Sequence, residues 1–176
     1  MTTRMQEPGH QPAAVARAAH EQARALLGRG ASRGELLAHL ARAGEQASGP
    51  GSVVSILVLD EAGLLRNGAS PGLPADYLHA IDGLKPDPLV GTCAAAAATG
   101  RQVTTPDFRA DHKWAELRHL PLALGFAGAW SMPILSSDGR VLGTFGTYFR
   151  ECREPTPQER EAVSVLASAA AEVLGT

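Results

Sequence analysis

Residues 126–149, FAGAWSMPILSSDGRVLGTFGTYF, are the stretch that decides the fold of this chain. Two apolar runs within it flank the pair Asp138-Gly139. An Asp-Gly pair between two apolar runs is the strongest short-range signal for a β-hairpin. A two-residue loop at this pair would place Ser137 opposite Arg140. The stretch therefore predicts two antiparallel strands with a fixed register.

The predicted strands, 126–135 and 141–149, have side chains that alternate between the two faces of the sheet. One face collects the smaller and more polar side chains, namely Ala129, Ser131, Pro133, Leu135, Leu142, Thr144, Gly146 and Tyr148. The other face collects the bulkier and more apolar ones, namely Trp130, Met132, Ile134, Val141, Gly143, Phe145, Thr147 and Phe149. We expect the terminal helices to cover the bulky face and the mixed face to border a small-molecule pocket.

Helices are predicted at both ends of the chain. Residues 12–27 carry apolar side chains at helical spacing. A second N-terminal helix begins at a capping box formed by Ser32 and Glu35, which makes 13–48 a helical segment. The closing helix begins at 156–159, TPQE, which combines an N-cap, a proline at the first helical position and a capping glutamate.

Strands and a long crossover lie between these helices. The apolar run 53–59 and the run 64–69 flank a turn and are predicted to form a first hairpin. The crossover that follows is predicted to contain a short strand, 102–104, and three helices, 74–81, 93–99 and 111–120. Because hairpins force antiparallel pairing, the chain is predicted to be α+β.

Composition limits the class of protein. The chain has 176 residues, the length of one domain, and its net charge of −2 gives no basis for binding nucleic acid. No apolar run approaches the roughly 20 residues that span a bilayer, and the start is not a secretory signal. The two cysteines are too few for a disulfide framework. We therefore expect a cytoplasmic protein without membrane contact, with a disordered tail at 1–12 and a core domain at 52–176.

Four segments, in this order and spacing, resemble the signalling-type GAF domain of bacteria: 52–60 (SVVSILVLD), 91–94 (GTCA), 111–118 (DHKWAELR) and 129–145 (AWSMPILSSDGRVLGTF). The resemblance implies a twisted antiparallel sheet of five to six strands, with the terminal helices on one face and the crossover roofing a pocket on the other. It further implies a sensory or regulatory domain that binds a small molecule and signals through its terminal helices. The identity of the ligand and of any cofactor stays open.

Two kinds of partner are expected. We expect a homodimer formed through the terminal helices, whose apolar stripes extend beyond what the sheet can cover. A signalling protein is a further candidate partner. Since no catalytic or output domain follows Thr176, the domain is expected to stand alone. A dimerisation module with a vestigial pocket is the alternative function without a ligand.

Six residues are candidates for contact with the ligand. The mixed face of the sheet supplies Ser131, Thr144 and Tyr148. The crossover supplies Cys93, Trp114 and Asp107. Cross-strand packing without a ligand is the alternative role for the strand residues. The first role expected of Asp107 is to cap its own loop or turn.

Cys93 permits two interpretations. It lies in the first turn of a predicted helix, where the helix dipole can lower the pKa of a thiol, so it could be redox-sensitive or contact the ligand. The alternative is a small buried hydrophobe, which is the common state of cysteine in proteins. Trp114 is expected to face the protein and to contribute to the roof of the pocket or to the core.

His112, Glu116 and His119 share one face of a predicted helix at a spacing that could hold a metal. That face is expected to point to solvent, so no metal site is predicted. The enzyme alternative is free-methionine sulfoxide reductase, which needs a nucleophilic cysteine, a resolving cysteine and pocket carboxylates. Cys93 could match one of these cysteines, but Cys152 lies at the far end of the last strand and the acidic residues are missing. We therefore expect no enzymatic activity.

Overall fold

The computed structural model describes residues 11–175. The predicted tail lies outside them except for Gln11 and Pro12, and Pro12 is the first residue of a helix. Within 11–175, no helix has the length and apolar character needed to cross a membrane. The elements in chain order are α1 (Pro12–Gly28), α2 (Arg33–Ser48), β1 (Val53–Leu59), β2 (Leu65–Ala69), α3 (Ala75–Ile81), α4 (Cys93–Thr99), β3 (Val103–Thr105), a 3-10 turn (His112–Trp114), α5 (His119–Ala123), β4 (Gly128–Leu135), β5 (Val141–Phe149) and α6 (Pro157–Leu174).

The five strands form one antiparallel sheet in the order β2-β1-β5-β4-β3. Both predicted hairpins are present, and their inner strands β1 and β5 pair with each other at the centre of the sheet. Helices precede, interrupt and follow the strands. The predicted α+β class and antiparallel sheet are therefore confirmed.

The tip of the second hairpin differs from its prediction by one residue. Ser136 N donates to Arg140 O over 2.9 Å, so the loop is the three-residue Ser137-Asp138-Gly139. Gly139 has a φ of 84°, the left-handed conformation that a three-residue hairpin loop of this type requires. The predicted two-residue loop, with Ser137 opposite Arg140, is wrong.

A bulge in β5 cancels this difference. Leu135 pairs with Val141 and Ile134 pairs with Gly143, so Leu142 is an additional residue on β5. Beyond the bulge the pairs are those predicted, Pro133 with Thr144, Ser131 with Gly146 and Ala129 with Tyr148. The bulge also exchanges the faces of two residues, because Leu142 packs toward the terminal helices and Val141 toward the crossover. The faces predicted for these two residues are wrong for this local reason.

The bulky face of the sheet lies under the terminal helices, as predicted. The large buried side chains that β4 and β5 contribute there are Trp130, Met132, Ile134, Phe145 and Phe149. The helices α2 and α6 pack on this face. Their buried side chains include Leu36, Leu37, Leu40, Val163 and Leu166. The opposite face carries separate clusters formed with the crossover.

Helix α1 forms a further layer outside this core. Its main contacts are with α6 and α2, and its inner stripe consists of Ala16, Ala19 and Ala23. His20 and Arg24 of α1 contact Glu172 of α6 over 3.1 and 3.0 Å. The inner apolar stripes of the terminal helices are therefore used within the chain itself.

The predicted helix over 111–120 is replaced by two short pieces. His112–Trp114 form a 3-10 turn, and α5 begins separately at His119. Pro121 lies in the first turn of α5, where a proline is tolerated because the N–H that it lacks would have no helical partner. The proline therefore favours a helix start at His119, and the prediction of one continuous helix is wrong.

Candidate functional site

The candidate site is a largely enclosed hollow between the sheet and the crossover. About 20 Å³ of it is open to a molecule the size of water. Its apolar lining consists of Leu57, Ile81, Leu84, Val90, Gly91, Ala94 and Leu117. Its polar lining consists of Tyr77, Thr92, Cys93, Trp114 and Tyr148. Among the described residues that line the hollow, none has a charged side chain.

Tyr77 of α3 and Tyr148 of β5 are joined through their hydroxyls. The two oxygens are 2.7 Å apart, and the rings meet edge to face with their centroids 5.8 Å apart. Burial raises the pKa of both phenols, so both are neutral at physiological pH. Because one hydroxyl donates to the other, the pair keeps one proton that it can donate and lone pairs that can accept.

Cys93, the first residue of α4, packs directly on β5. A Cβ at Gly146 would lie 2.9 Å from Cys93 Sγ, so the sulfur occupies space that only a glycine leaves open. Ser131 Oγ donates to the same sulfur over 3.6 Å. Burial raises the pKa of the Cys93 thiol, the opposite of the shift that a helix dipole would cause. These observations favour the interpretation of Cys93 as a small buried group.

Ser131 and Thr144 lie beneath Cys93 rather than at the hollow. Both are fully buried, and neither belongs to the lining. The reason is that α4 packs on β4 and β5 with buried alanines, so its backbone comes close to the sheet. Strand alternation predicts the correct face for both residues, but it does not predict how closely the crossover packs there.

Trp114 closes the hollow from the crossover side. Its side chain is buried, and its ring centroid is 4.5 Å from that of Phe108. Its Cζ2 and Cε2 atoms lie 3.8 and 3.9 Å from the position of a Cβ on Gly91, so the ring edge next to Nε1 faces this lining glycine. Within residues 11–175, Trp114 Nε1 is buried and has no hydrogen-bond partner. It is one of six buried side-chain N and O atoms without a partner among the described residues, and each such atom requires an explanation.

Asp107 lies outside the hollow. Its Oδ1 accepts from Arg109 N over 2.9 Å, and its carbonyl oxygen accepts from Ala110 N over 3.2 Å. These contacts make Asp107 the cap of its own turn, which is the first of the two roles expected from the sequence. Of the six candidate residues, the lining contains Cys93, Trp114 and Tyr148.

Tyr77 and Thr92 are lining residues that the sequence analysis does not single out. Tyr77 is 71 residues away from Tyr148 in the chain, so no local pattern connects the two. Thr92 immediately precedes Cys93 in the segment GTCA. Thr92 could therefore have been predicted from the segment that resembles the family, whereas Tyr77 lies outside all four such segments.

The other predicted side chains are placed as follows. His112, Glu116 and His119 are exposed, as their positions opposite Trp114 predict. Within residues 11–175, no group of three or more His, Cys, Asp and Glu side chains could hold a metal ion. Both cysteines are free, Cys93 being buried and Cys152 exposed.

A larger concavity of about 450 Å³ lies between α6 and the part of β4 that extends beyond β3. It is an open surface groove, and its lining includes Arg101, Gln102, Met132, Pro133, Ser164 and Ser168. None of the buried polar atoms that lack a partner within 11–175 belongs to this lining. The hollow is therefore the better candidate site, because one of its lining residues, Trp114, carries such an atom.

Comparisons with known proteins point to one family. The family model described as "GAF domain" matches residues 30–174. The methyl sulfide methyltransferase-associated sensor of Methanosarcina acetivorans is 36% identical to this chain over 135 residues. The match covers 76% of this chain and 13% of the sensor, so the chain spans a small part of that relative's length.

Solved structures have the same fold. The GAF domain of a phosphoenolpyruvate-protein phosphotransferase from Coxiella burnetii has a TM-score of 0.73 and 17% identity, and the match covers 93% of this chain and 94% of that one. Free methionine-R-sulfoxide reductase from Neisseria meningitidis, in complex with its substrate, has a TM-score of 0.68 and 20% identity over 93% and 90% of the two chains. At these identities the likeness shows the fold alone.

Proposed function

The chain belongs to the GAF domain family, and from this premise we propose that it is a sensory and regulatory domain whose hollow binds a small molecule. The observation that carries the proposal is the side chain of Trp114, which lines the hollow and whose Nε1 is a buried donor without a partner among residues 11–175. The presence of a sensor among the relatives supports the sensory role.

Ligand entry requires the crossover to move outward. A space of about 20 Å³ accommodates one water molecule, whereas pockets for small molecules typically measure about 300 to 1,000 Å³. Two segments of the roof are tied together, because Gly91 N donates to Lys113 O over 2.8 Å. We expect them to move together, so that binding is coupled to a displacement of the crossover.

Only strand β5 separates the crossover helix α4 from the terminal helix α2 at this point. Gly146 of β5 makes room for Cys93 on the crossover side. The preceding residue, Phe145, points to the opposite face, and its Cζ lies 2.7 Å from the position of a Cβ on Gly44 of α2. Two glycines thus let α4 and α2 approach neighbouring residues of β5 from opposite sides. We propose that a displacement of α4 is passed through β5 to the terminal helices.

Homodimerisation and a signalling partner belong to the same proposal. The outer face of α1 keeps Ala14, Ala18 and Ala25 exposed, on the side opposite its buried stripe. A helix from a second copy or from a signalling protein could pack against small and apolar side chains of this kind.

Native mass spectrometry of freshly purified protein tests the ligand proposal. We expect a co-purified small molecule in the wild type. The variant Trp114→Phe removes the unpartnered donor but keeps an aromatic ring, and it should retain about tenfold less of that molecule. Ser131→Ala and Thr144→Ala should have smaller effects, because both residues lie beneath Cys93.

The matched control is Trp130→Phe. Trp130 is the second tryptophan, equally buried, but it packs on the helix side of the sheet. Its substitution should leave the bound mass unchanged. An equal loss in both variants would assign the effect to stability. The proposal would be abandoned if no molecule co-purified and no candidate ligand raised the thermal midpoint, whether ionised (a nucleotide, nitrate or an amino acid) or uncharged (a small aromatic ketone).

A further inference from the structure

Resting on the proposed function, we infer that the hollow is suited to a small uncharged molecule that carries one hydrogen-bond acceptor on an otherwise apolar body. Three properties of the lining lead to this class. They are the lack of charge among the described lining residues, the unpartnered donor of Trp114 and the largely apolar character of the remaining wall.

The lining offers no counter-charge to an ionised ligand. The charged residues that flank Trp114 in sequence are engaged elsewhere. Lys113 Nζ donates to Asp111 Oδ2 over 2.7 Å, and Arg118 Nη1 donates to the carbonyl oxygen of Arg109 over 2.8 Å. An ionised molecule in the hollow would lose its hydration without gaining a partner of opposite charge, which strongly disfavours its binding.

The hydrogen-bonding group required of the ligand is an acceptor. An indole Nε1–H can only donate, so a partner for Trp114 must supply a lone pair. Trp130 Nε1 also lacks a partner within residues 11–175, but it lies in the apolar cluster under the helices, away from the hollow. Trp114 therefore differs from Trp130 in that the side chain that carries its unpartnered donor lines the hollow. The hydroxyl pair of Tyr77 and Tyr148 adds a second neutral donor beside the same space.

Most of the remaining wall is apolar and favours an apolar ligand body. Its aliphatic side chains are Leu57, Ile81, Leu84, Val90 and Leu117. Apolar ligand atoms against these side chains are removed from water, which is favourable. Nucleotides, free amino acids and nitrate carry ionised groups at neutral pH and are disfavoured on these grounds.

Three probes of similar size separate charge from hydrogen bonding. Acetophenone has one carbonyl acceptor, ethylbenzene has none and benzoate carries a negative charge. Each probe is titrated into the full isotope-labelled chain while the indole N–H resonances are followed by NMR. The chain has two tryptophans, so Trp130 provides an internal control, and the variant Trp114→Phe assigns the signals.

We expect acetophenone to shift the Trp114 resonance and to leave that of Trp130 in place. Ethylbenzene should bind about tenfold more weakly, because it makes no hydrogen bond. Benzoate should leave the Trp114 resonance unchanged. The variant Ile81→Ala widens the hollow without changing its polar groups, so it should bind acetophenone more tightly and keep the same order of probes.

Each of the other outcomes would contradict a specific part of the inference. Benzoate binding at Trp114 as tightly as acetophenone would overturn the inference and leave the proposed function intact. Equal binding of ethylbenzene and acetophenone would overturn the requirement for an acceptor. No shift of Trp114 with any probe, in the wild type or in Ile81→Ala, would overturn the inference. In that case a co-purified molecule in the mass spectrum would still uphold the proposed function.

Discussion

At residue 146 the chain has no side chain, and the sulfur of Cys93 fills the space. Gly146→Ala would place a Cβ 2.9 Å from that sulfur, so α4 would have to move away from β5. We expect the free energy of unfolding to fall by about 1 to 3 kcal/mol, the usual cost of overpacking a core. Urea denaturation measures this change.

Gly34→Ala is the matched control for this substitution. Gly34 lies in the first turn of α2, with no atom within 4 Å of the position of a Cβ. Its replacement should be neutral or slightly stabilising, because alanine favours helix more than glycine does. Cys93→Ala should restore most of the stability lost in Gly146→Ala, since the two residues are in contact. Additive losses would show that the contact is not the cause.

The sequence predicts the site only in part at the scale of single residues. Cys93 and Trp114 lie in segments that resemble the family, and Tyr148 follows from strand alternation; all three line the hollow. Ser131 lies on the predicted face but under α4, because alanines allow that helix to pack close to the sheet. Whether Tyr77 lines the hollow depends on where α3 packs, and no local sequence pattern determines that position.

Among the elements, α6 begins at a capping box that an ion pair reinforces. Thr156 Oγ1 accepts from Glu159 N over 3.1 Å, and Glu159 Oε1 accepts from Thr156 N over 2.9 Å. Arg153 donates to the same carboxylate over 2.7 and 2.9 Å. Burial alone would raise the pKa of Glu159, but the hydrogen bonds from Arg153 and Thr156 outweigh it and lower that pKa.

Glu159→Gln is expected to destabilise the protein in a pH-dependent way. A carboxyl group whose pKa is lower in the folded state contributes stability above its unfolded pKa, and this contribution is lost as the pH falls through the folded value. We expect a cost of about 1 to 3 kcal/mol at neutral pH. The difference from the wild type should shrink below pH 4.5, the ordinary pKa of the group.

Urea denaturation at several pH values measures this difference, and Glu161→Gln is the control. Glu161 is exposed on the same helix, so its replacement should change stability little at any pH. A cost for Glu159→Gln that stayed constant down to low pH would rule out the lowered pKa as its source.

The prediction of elements succeeds where their signals are local. Both capping boxes, at Ser32 and at Thr156, form as predicted, because each depends on residues three positions apart. The helix predicted over 111–120 does not form as one piece. The apolar spacing in this segment indicates that Trp114 is buried, but it does not require a continuous helix. A 3-10 turn of three residues buries the same ring.

At the scale of the whole molecule, α1 is the outermost helical layer of the fold. It packs mainly on α2 and α6, and the family match begins at residue 30, after α1 ends. We expect its exposed outer face to mediate the proposed dimer. Ala18→Glu would place a charge on that face, so the variant should be monomeric under conditions where the wild type is dimeric.

Size-exclusion chromatography with light scattering measures the mass of both proteins. Ala62→Glu, an exposed position in the turn between β1 and β2, is the matched control and should keep the wild-type mass. A wild-type chain that remained monomeric at high concentration would contradict the dimer. If the Ala18→Glu variant were still dimeric, the dimer interface would have to lie elsewhere than on the outer face of α1.

The overall architecture is predictable because hairpins and terminal helices have strong signals within short windows. The alternation of bulky and small side chains along each strand is sufficient to predict which sheet face the helices cover. The volume of the hollow is not predictable in this way. It depends on how closely α4 and Trp114 approach the sheet, and these are contacts between distant parts of the chain.

The three-residue loop and the bulge at Leu142 have a consequence for how the chain can vary during evolution. Deletion of one loop residue would leave a two-residue loop that still joins Ser136 to Arg140. Deletion of Leu142 would leave a regular strand. In either case Pro133 would still pair with Thr144, so every side chain beyond the bulge would stay on the same face of the sheet. Homologues can therefore lose a residue at this outer end while the pairing of β4 with β5 that places Tyr148 in the lining stays unchanged.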